Sequence, residues 1–216
     1  MSGQHFNEED EKQVVARYQK RIDTHGVTFE SLASGSMAKQ TLRHSIHAQA
    51  LRTDTPSVLD IGCGLANFYS YLQQQGIATR YTGYDIVPEY VDKCRERYPE
   101  ATFQHRNFLR DGIDDTFDTI IMSQVLNNRY ANTDNMQIMA DTLALAFKHT
   151  RISVSIDMMS SYVDYENDAL FYYNPEAIFA LARELTPRVV LRHDYRRFEF
   201  CIQLFHETDD TSIYIP

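Results

Sequence analysis

The 216-residue chain is 43% hydrophobic and 24% charged, proportions that suit one globular domain with a substantial core and leave little room for two. Its 21 lysines and arginines face 30 aspartates and glutamates; the formal net charge of −9 would repel a phosphate backbone, so no nucleic-acid partner is expected. Cys63, Cys94 and Cys201 are odd in number and lack CxxC spacing, which argues against a disulfide framework, a zinc ribbon or any other metal site. The opening MSGQHFNEEDEK is polar and acidic where a signal peptide needs a basic start and an apolar stretch, and no long apolar segment follows. The expectation is a soluble, cytoplasmic chain, monomeric or homodimeric, with no membrane partner.

Residues 8–24 are charged helix formers with Val14, Val15, Tyr18 and Ile22 at helical spacing, which predicts an amphipathic helix stopped by His25-Gly26. Ser34-Gly35-Ser36 can cap a second helix through Met37, Leu42, Ile46 and Leu51, so residues 1–52 read as a helical prelude within the same domain as 53–216. After Thr55-Pro56 strands and helices alternate. Strands are predicted at 57–61, 80–85, 102–105, 117–123 and 151–157, and helices at 66–75, 88–98, 132–148 and 175–185, the last with Asn174 as N-cap and Pro175 in its first position. Two extended runs, 188–191 and 198–205, flank a short polar turn around 194–196 and predict a closing hairpin. The fold class is α/β: a doubly wound, Rossmann-like, seven-stranded, mostly parallel sheet with an antiparallel last strand and an N-terminal helical lid.

The strongest local signal is VLDIGCGLANF at 58–68, an apolar strand breaking into a glycine turn that enters a helix. Such a turn brings backbone amides and a helix N-terminus close to a ligand at the carboxyl ends of the strands. A glycine turn that merely reverses the chain is the alternative, and the context weighs against it. YTGYDI at 81–86 supplies a second strand ending in Asp85, where ribose hydroxyls are taken in this architecture. A dinucleotide site prefers GxGxxG, but here Asn67 stands at the third glycine, and Asp60 would sit awkwardly beside a pyrophosphate while suiting a sulfonium and an amine. That charge argument favours S-adenosylmethionine over NAD.

VLDIGCGLANF, YTGYDIVPEYV and FDTIIMSQVLNN resemble the successive motifs of class I S-adenosylmethionine-dependent methyltransferases, and the likeness spans about residues 56–205. It implies a soluble 53–216 cofactor-binding part beneath a 1–52 lid, with S-adenosylhomocysteine as product. It further implies that Gly62, Cys63 and Gly64 wrap the methionine portion, that Asp60 orders the loop, that Asp85 accepts from the ribose and that Ile86 packs on the adenine. Many relatives have an acid and an apolar residue after the third strand; here the pair is Asn107-Phe108, whose amide oxygen can accept from the adenine amino group. Ser123 and Gln124 match the place where the methionine group is met. SMAKQTLRHS resembles a bacterial small-molecule methyltransferase helix that approaches the cofactor, so Arg43 could fork onto the methionine carboxylate, an exposed helix arginine being the alternative.

Methyl transfer is an in-line displacement from a cationic sulfur that positioning can drive without an obligatory acid or base. His44, His47 and His193 are the conceivable bases, with no catalytic role assigned. Substrate contacts are expected from Asn128, Arg129, Tyr130, Met158, Tyr162 and Tyr172 within a tyrosine- and methionine-rich stretch that also holds Asn127 and Met159, suggesting a walled pocket for a small organic molecule. The expected activity is methylation of oxygen or nitrogen on such a molecule. Alternatives are a sensor or scaffold that binds the cofactor without turnover, and an NAD-linked oxidoreductase.

Overall fold

The computed structural model describes residues 6–207. Its strands are β1 (Ser57–Ile61), β2 (Arg80–Asp85), β3 (Thr102–His105), β4 (Phe117–Ser123), β5 (Thr150–Met159), β6 (Val189–Arg196) and β7 (Glu199–Phe205). Its α-helices are α1 (Glu8–His25), α2 (Met37–Ala48), α3 (Asn67–Gln74), α4 (Pro88–Arg97), α5 (Phe108–Asp111), α6 (Asn135–Lys148) and α7 (Pro175–Leu185), with one 3-10 turn at Phe29–Leu32. The strands form one sheet in the order β3-β2-β1-β4-β5-β7-β6. β1 to β5 are parallel, β7 runs antiparallel to β5, and β6 pairs antiparallel with β7 at the edge. The reversal of strand order at β1 and β4 is the topological switch point where open α/β sheets hold their ligands.

Sequence dictates which strands are central. Every residue of β1 and β7 is buried, as expected of strands covered on both faces, whereas no residue of β6 is fully buried. The inner position of β7 is thus explained by its apolar run Phe200-Cys201-Ile202, and the more polar β6 takes the edge.

The structure shifts some expected boundaries. The 132–148 helix starts only at Asn135 because the Asp134 carboxylate caps the amides of Met136 and Gln137. The second helix ends at Ala48, and 3-10-type bonds from Ala50 to His47 and from Leu51 to Ala48 close its last turn. The hairpin turn lies at Arg197-Phe198 instead of 194–196, since β6 continues to Arg196 through an irregularity after Arg192. The short α5, capped by Asn107, and the turn at 29–32 were not anticipated.

α1 is fastened across the carboxyl end of the sheet. The buried Asp10 carboxylate accepts from the Ala131 and Asn132 amides, the Asn132 side chain and the Thr133 hydroxyl (2.6 Å). Glu11 accepts from Asn107 Nδ2 and Arg110, both at 2.8 Å. Asp10→Ala should deprive those partly buried donors of their carboxylate acceptor and cost about 2 kcal/mol. Hydrogen exchange should show residues 8–25 opening faster than the sheet in this variant; unchanged protection there would refute the latch.

Candidate active site

A cavity of about 370 Å³ opens at the carboxyl ends of β1, β2, β4 and β5 beneath α1 and α2, within the size range of small-molecule sites. The glycine loop forms one wall. The Gly62 and Cys63 amides donate to the Tyr84 carbonyl (2.7 and 3.0 Å), tying the loop to the end of β2. Gly62 and Gly64 have φ of +72° and +53°, and a Cβ would lie 2.6 Å from Val125 Cγ2 or 2.7 Å from Leu32 Cδ2. The positive φ favours glycine at both positions, and at Gly62 the stiff β-branched side chain of Val125 leaves no room for a Cβ as well.

Asp85, at the end of β2, accepts from the Gly64 amide through one oxygen (2.8 Å) and the Val87 amide through the other (2.9 Å). Burial pushes its carboxyl up to about 6 despite these bonds. Burial likewise drives Asp60 up to about 7, the Tyr81 hydroxyl bonded to it pulling downward and Asp85 adding to the rise. The cavity thus holds two costly carboxyls in one buried wall, an arrangement that favours a ligand offering hydroxyl donors or positive charge.

Beyond Gln124 lies a buried ionic cluster. The Arg43 guanidinium forks onto Glu199 at 2.8 and 2.7 Å, reaches the Ser34 carbonyl at 3.1 Å and stands 3.8 Å from Asp157. Arg196 approaches the same Glu199 at 3.2 Å. Asp157 accepts from the Gln124 amide (2.7 Å), which holds Gln124 at φ +61°. Burial alone would raise Asp157, but His47, Arg43 and that amide outweigh it and hold the carboxyl below its usual range.

The family described as "Methyltransferase domain" matches residues 58–149. A curated relative, "Putative methyltransferase Rv1506c" of Mycobacterium tuberculosis (strain ATCC 25618 / H37Rv), is 32% identical over 154 residues, spanning 69% of this chain and 92% of the relative. The chain belongs to the class I S-adenosylmethionine-dependent methyltransferases. Solved structures share the fold at low identity. The magnesium protoporphyrin IX methyltransferase of Synechocystis PCC 6803 with bound SAH is similar at TM-score 0.63 and 11% identity, over 92% of this chain and 100% of that one. Phosphoethanolamine N-methyltransferase 1 of Haemonchus contortus is similar at TM-score 0.65 and 12% identity, over 97% of this chain and 51% of that one.

The methyltransferase fits the cofactor that its family name implies, because the cavity has a side-chain-free glycine cradle and a buried acid at the end of β2. Arg43, Asp60, Gly62, Cys63, Gly64, Asp85, Ile86, Asn107, Phe108, Ser123 and Gln124 all line that cavity. Two of them are engaged differently from expectation. Arg43 is buried, unlike the exposed helix arginine that was the alternative, but the fork expected to meet the methionine carboxylate is occupied by Glu199. Asn107 Oδ1 caps α5 through the Leu109 and Arg110 amides while its Nδ2 bonds Glu11.

Of the expected substrate residues, Asn128 and Tyr130 line the cavity and four do not. Met158 points into the core because side chains alternate along β5, which gives the cavity Met159 instead. Tyr162 turns to Glu176 (2.5 Å), the Tyr172 hydroxyl accepts from the Asn167 amide (2.9 Å), and Arg129 donates to the Asp168 carbonyl (3.2 Å). Of the three candidate histidines His44 alone lines the cavity; burial, helped by His47, lowers it to about 3, so it is neutral at physiological pH. His47 is fully buried behind the cavity against Ser155 (2.8 Å), and His193 stacks on Tyr162. Sequence reasoning missed Arg17, Lys39, Leu170, Arg196 and Glu199 as lining residues, while Gln40 is the glutamine of the SMAKQTLRHS helix expected to approach the cofactor. The amphipathic pattern of α1 and the SMAKQTLRHS helix hint at Arg17 and Lys39, while Leu170, Arg196 and Glu199 arrive from segments without a recognisable motif.

Proposed function

We propose that the methyltransferase transfers a methyl group to oxygen or nitrogen of a small organic molecule, with residues 1–52 as the lid of the 53–216 cofactor-binding part. The observation that carries this reading is the single cavity running from the glycine loop and Asp85 to Asn128, Tyr130 and Met159 under two lid helices. S-adenosylmethionine, when bound, supplies the methyl group on a cationic sulfur.

Asp85 would take the ribose hydroxyls, Ile86 and Phe108 the faces of the adenine, and Gly62 to Gly64 the methionine portion. Because the Arg43 fork is committed to Glu199, the methionine carboxylate falls to Lys39, one helical turn earlier on the same wall, which has no carboxylate partner among the described residues. Lys39→Ala should weaken S-adenosylhomocysteine binding about tenfold. Asn107 presents only an engaged oxygen to the adenine edge, so its role depends on the lid contact with Glu11. Chemistry then rests on positioning and exclusion of water under α1, with no side chain required to remove a proton.

Affinity should depend on pH through Asp85. Its carboxyl is raised in the folded chain, so the stability contributed by its protonated form is present below about 4 and is lost as pH rises through about 6. A ligand that bonds the ionised form reverses this, so S-adenosylhomocysteine affinity should rise about tenfold between pH 5 and 7.5 with proton release near pH 6. Calorimetry in buffers of different ionisation enthalpy measures that release; pH-independent affinity would exclude an ionised Asp85 as ligand. Turnover is tested by transfer of label from tritiated S-adenosylmethionine across small oxygen and nitrogen acceptors. Tight cofactor binding with no transfer to any of them would favour a sensor or scaffold.

A further inference from the structure

We infer that the acceptor carries an anionic oxygen group, a carboxylate or a phosphoryl group, gripped by Arg17 on the lid and the Asn128 end of the cavity; this rests on the methyltransferase reading above. The chain has nine more acids than bases, so cations left unpaired on a cavity wall run against its composition. Arg43 and Arg196 share Glu199, and Arg106 is paired with Asp114. Arg17 lines the same cavity, yet its one described partner is the neutral Asn128 Oδ1 at 2.6 Å, and no carboxylate lies within ion-pair distance among the described residues.

A chain of amides makes the same end of the cavity rich in donors. The Met159 amide donates to Asn127 Oδ1 (3.0 Å), which turns Asn127 Nδ2 onto Gln124 Oε1 (2.7 Å). Gln124 Nε2 is thereby fixed as a donor, buried and without a protein acceptor among the described residues. Asn128 directs its oxygen to Arg17, so the guanidinium keeps further N–H groups for a ligand. Unpaired positive charge and an unmatched buried donor both call for a ligand rich in acceptor oxygens, and a guanidinium fork suits a carboxylate or phosphoryl group. The placement of Arg17 on α1 means that an anionic acceptor would also hold the lid shut.

The test titrates the S-adenosylhomocysteine-loaded full chain with inorganic phosphate, and separately with acetate, at constant ionic strength. Wild type should bind one anion per chain saturably in the millimolar range, the tighter of the two anions naming the acceptor's group. Arg17→Gln should weaken this at least tenfold. Asn128→Asp should do the same by pairing Arg17 internally, while S-adenosylhomocysteine affinity stays within twofold in both variants. Absence of saturable binding by either anion, or binding unaltered in both variants, overturns the inference. Failure of S-adenosylhomocysteine to bind wild type would instead overturn the cofactor reading, which separates the two.

Discussion

Asp85→Ala is expected to lower S-adenosylhomocysteine affinity by at least about 100-fold, since two charge-assisted hydrogen bonds to ribose hydroxyls contribute roughly 1.5 kcal/mol each. The same substitution orphans the Gly64 and Val87 amides, which Asp85 accepts at 2.8 and 2.9 Å, and so loosens the glycine loop. Opposing this is relief of a buried carboxyl already pushed up to about 6, so the change in stability of the free chain should be smaller than the change in affinity. Asp85→Asn keeps one acceptor and should fall between. Calorimetric titration with circular dichroism on each variant separates binding from folding; an Asp85→Ala protein that is folded and binds within threefold of wild type would contradict the assignment.

Glu199→Ala should have the largest effect on stability. It leaves Arg43, whose side chain is 7% exposed, with the Ser34 carbonyl at 3.1 Å and no carboxylate nearer than Asp157 at 3.8 Å, and deprives Arg196 of its partner. Breaking a buried pair from one side typically costs about 3–5 kcal/mol, which for a chain of this length is a fall in Tm of roughly 10 °C. Removing both charges is a different experiment. Arg43→Met combined with Glu199→Leu should recover part of the loss, because the buried pair is removed together, while Arg196 still lacks Glu199 and Asp157 keeps His47 and the Gln124 amide. Thermal unfolding of the single and double variants measures this, and a single variant within 1 °C of wild type would show that the cluster contributes little.

The sheet and its cofactor edge were legible because each signal is local. The strands at 57–61, 80–85, 102–105 and 117–123 are short runs, the first framed by Pro56 and Gly62 and the second ending in Asp85, and their observed bounds match. Gly62, Gly64 and Asp85 stand out because strand, turn and terminal acid are contiguous in sequence. The far end of the cavity was less legible because it is assembled from distant segments. Arg43 finds Glu199 across 156 positions, and Arg17 finds Asn128 across 111. Choosing between Met158 and Met159 required the register of β5, which composition does not specify: one residue of slip exchanges every inward and outward side chain. The latch through Asp10 was hidden for a different reason, since an acid in the first turn of a helix is already explained by the helix dipole and gives no sign of a tertiary partner.

The most direct test is a crystal structure of the protein with S-adenosylhomocysteine bound. The expected result has both ribose hydroxyls on the Asp85 carboxylate, the methionine carboxylate near Lys39, Arg43 still forked onto Glu199, and α1 lying across the ligand. Ribose away from Asp85, or Arg43 released from Glu199 to the methionine carboxylate, would contradict it.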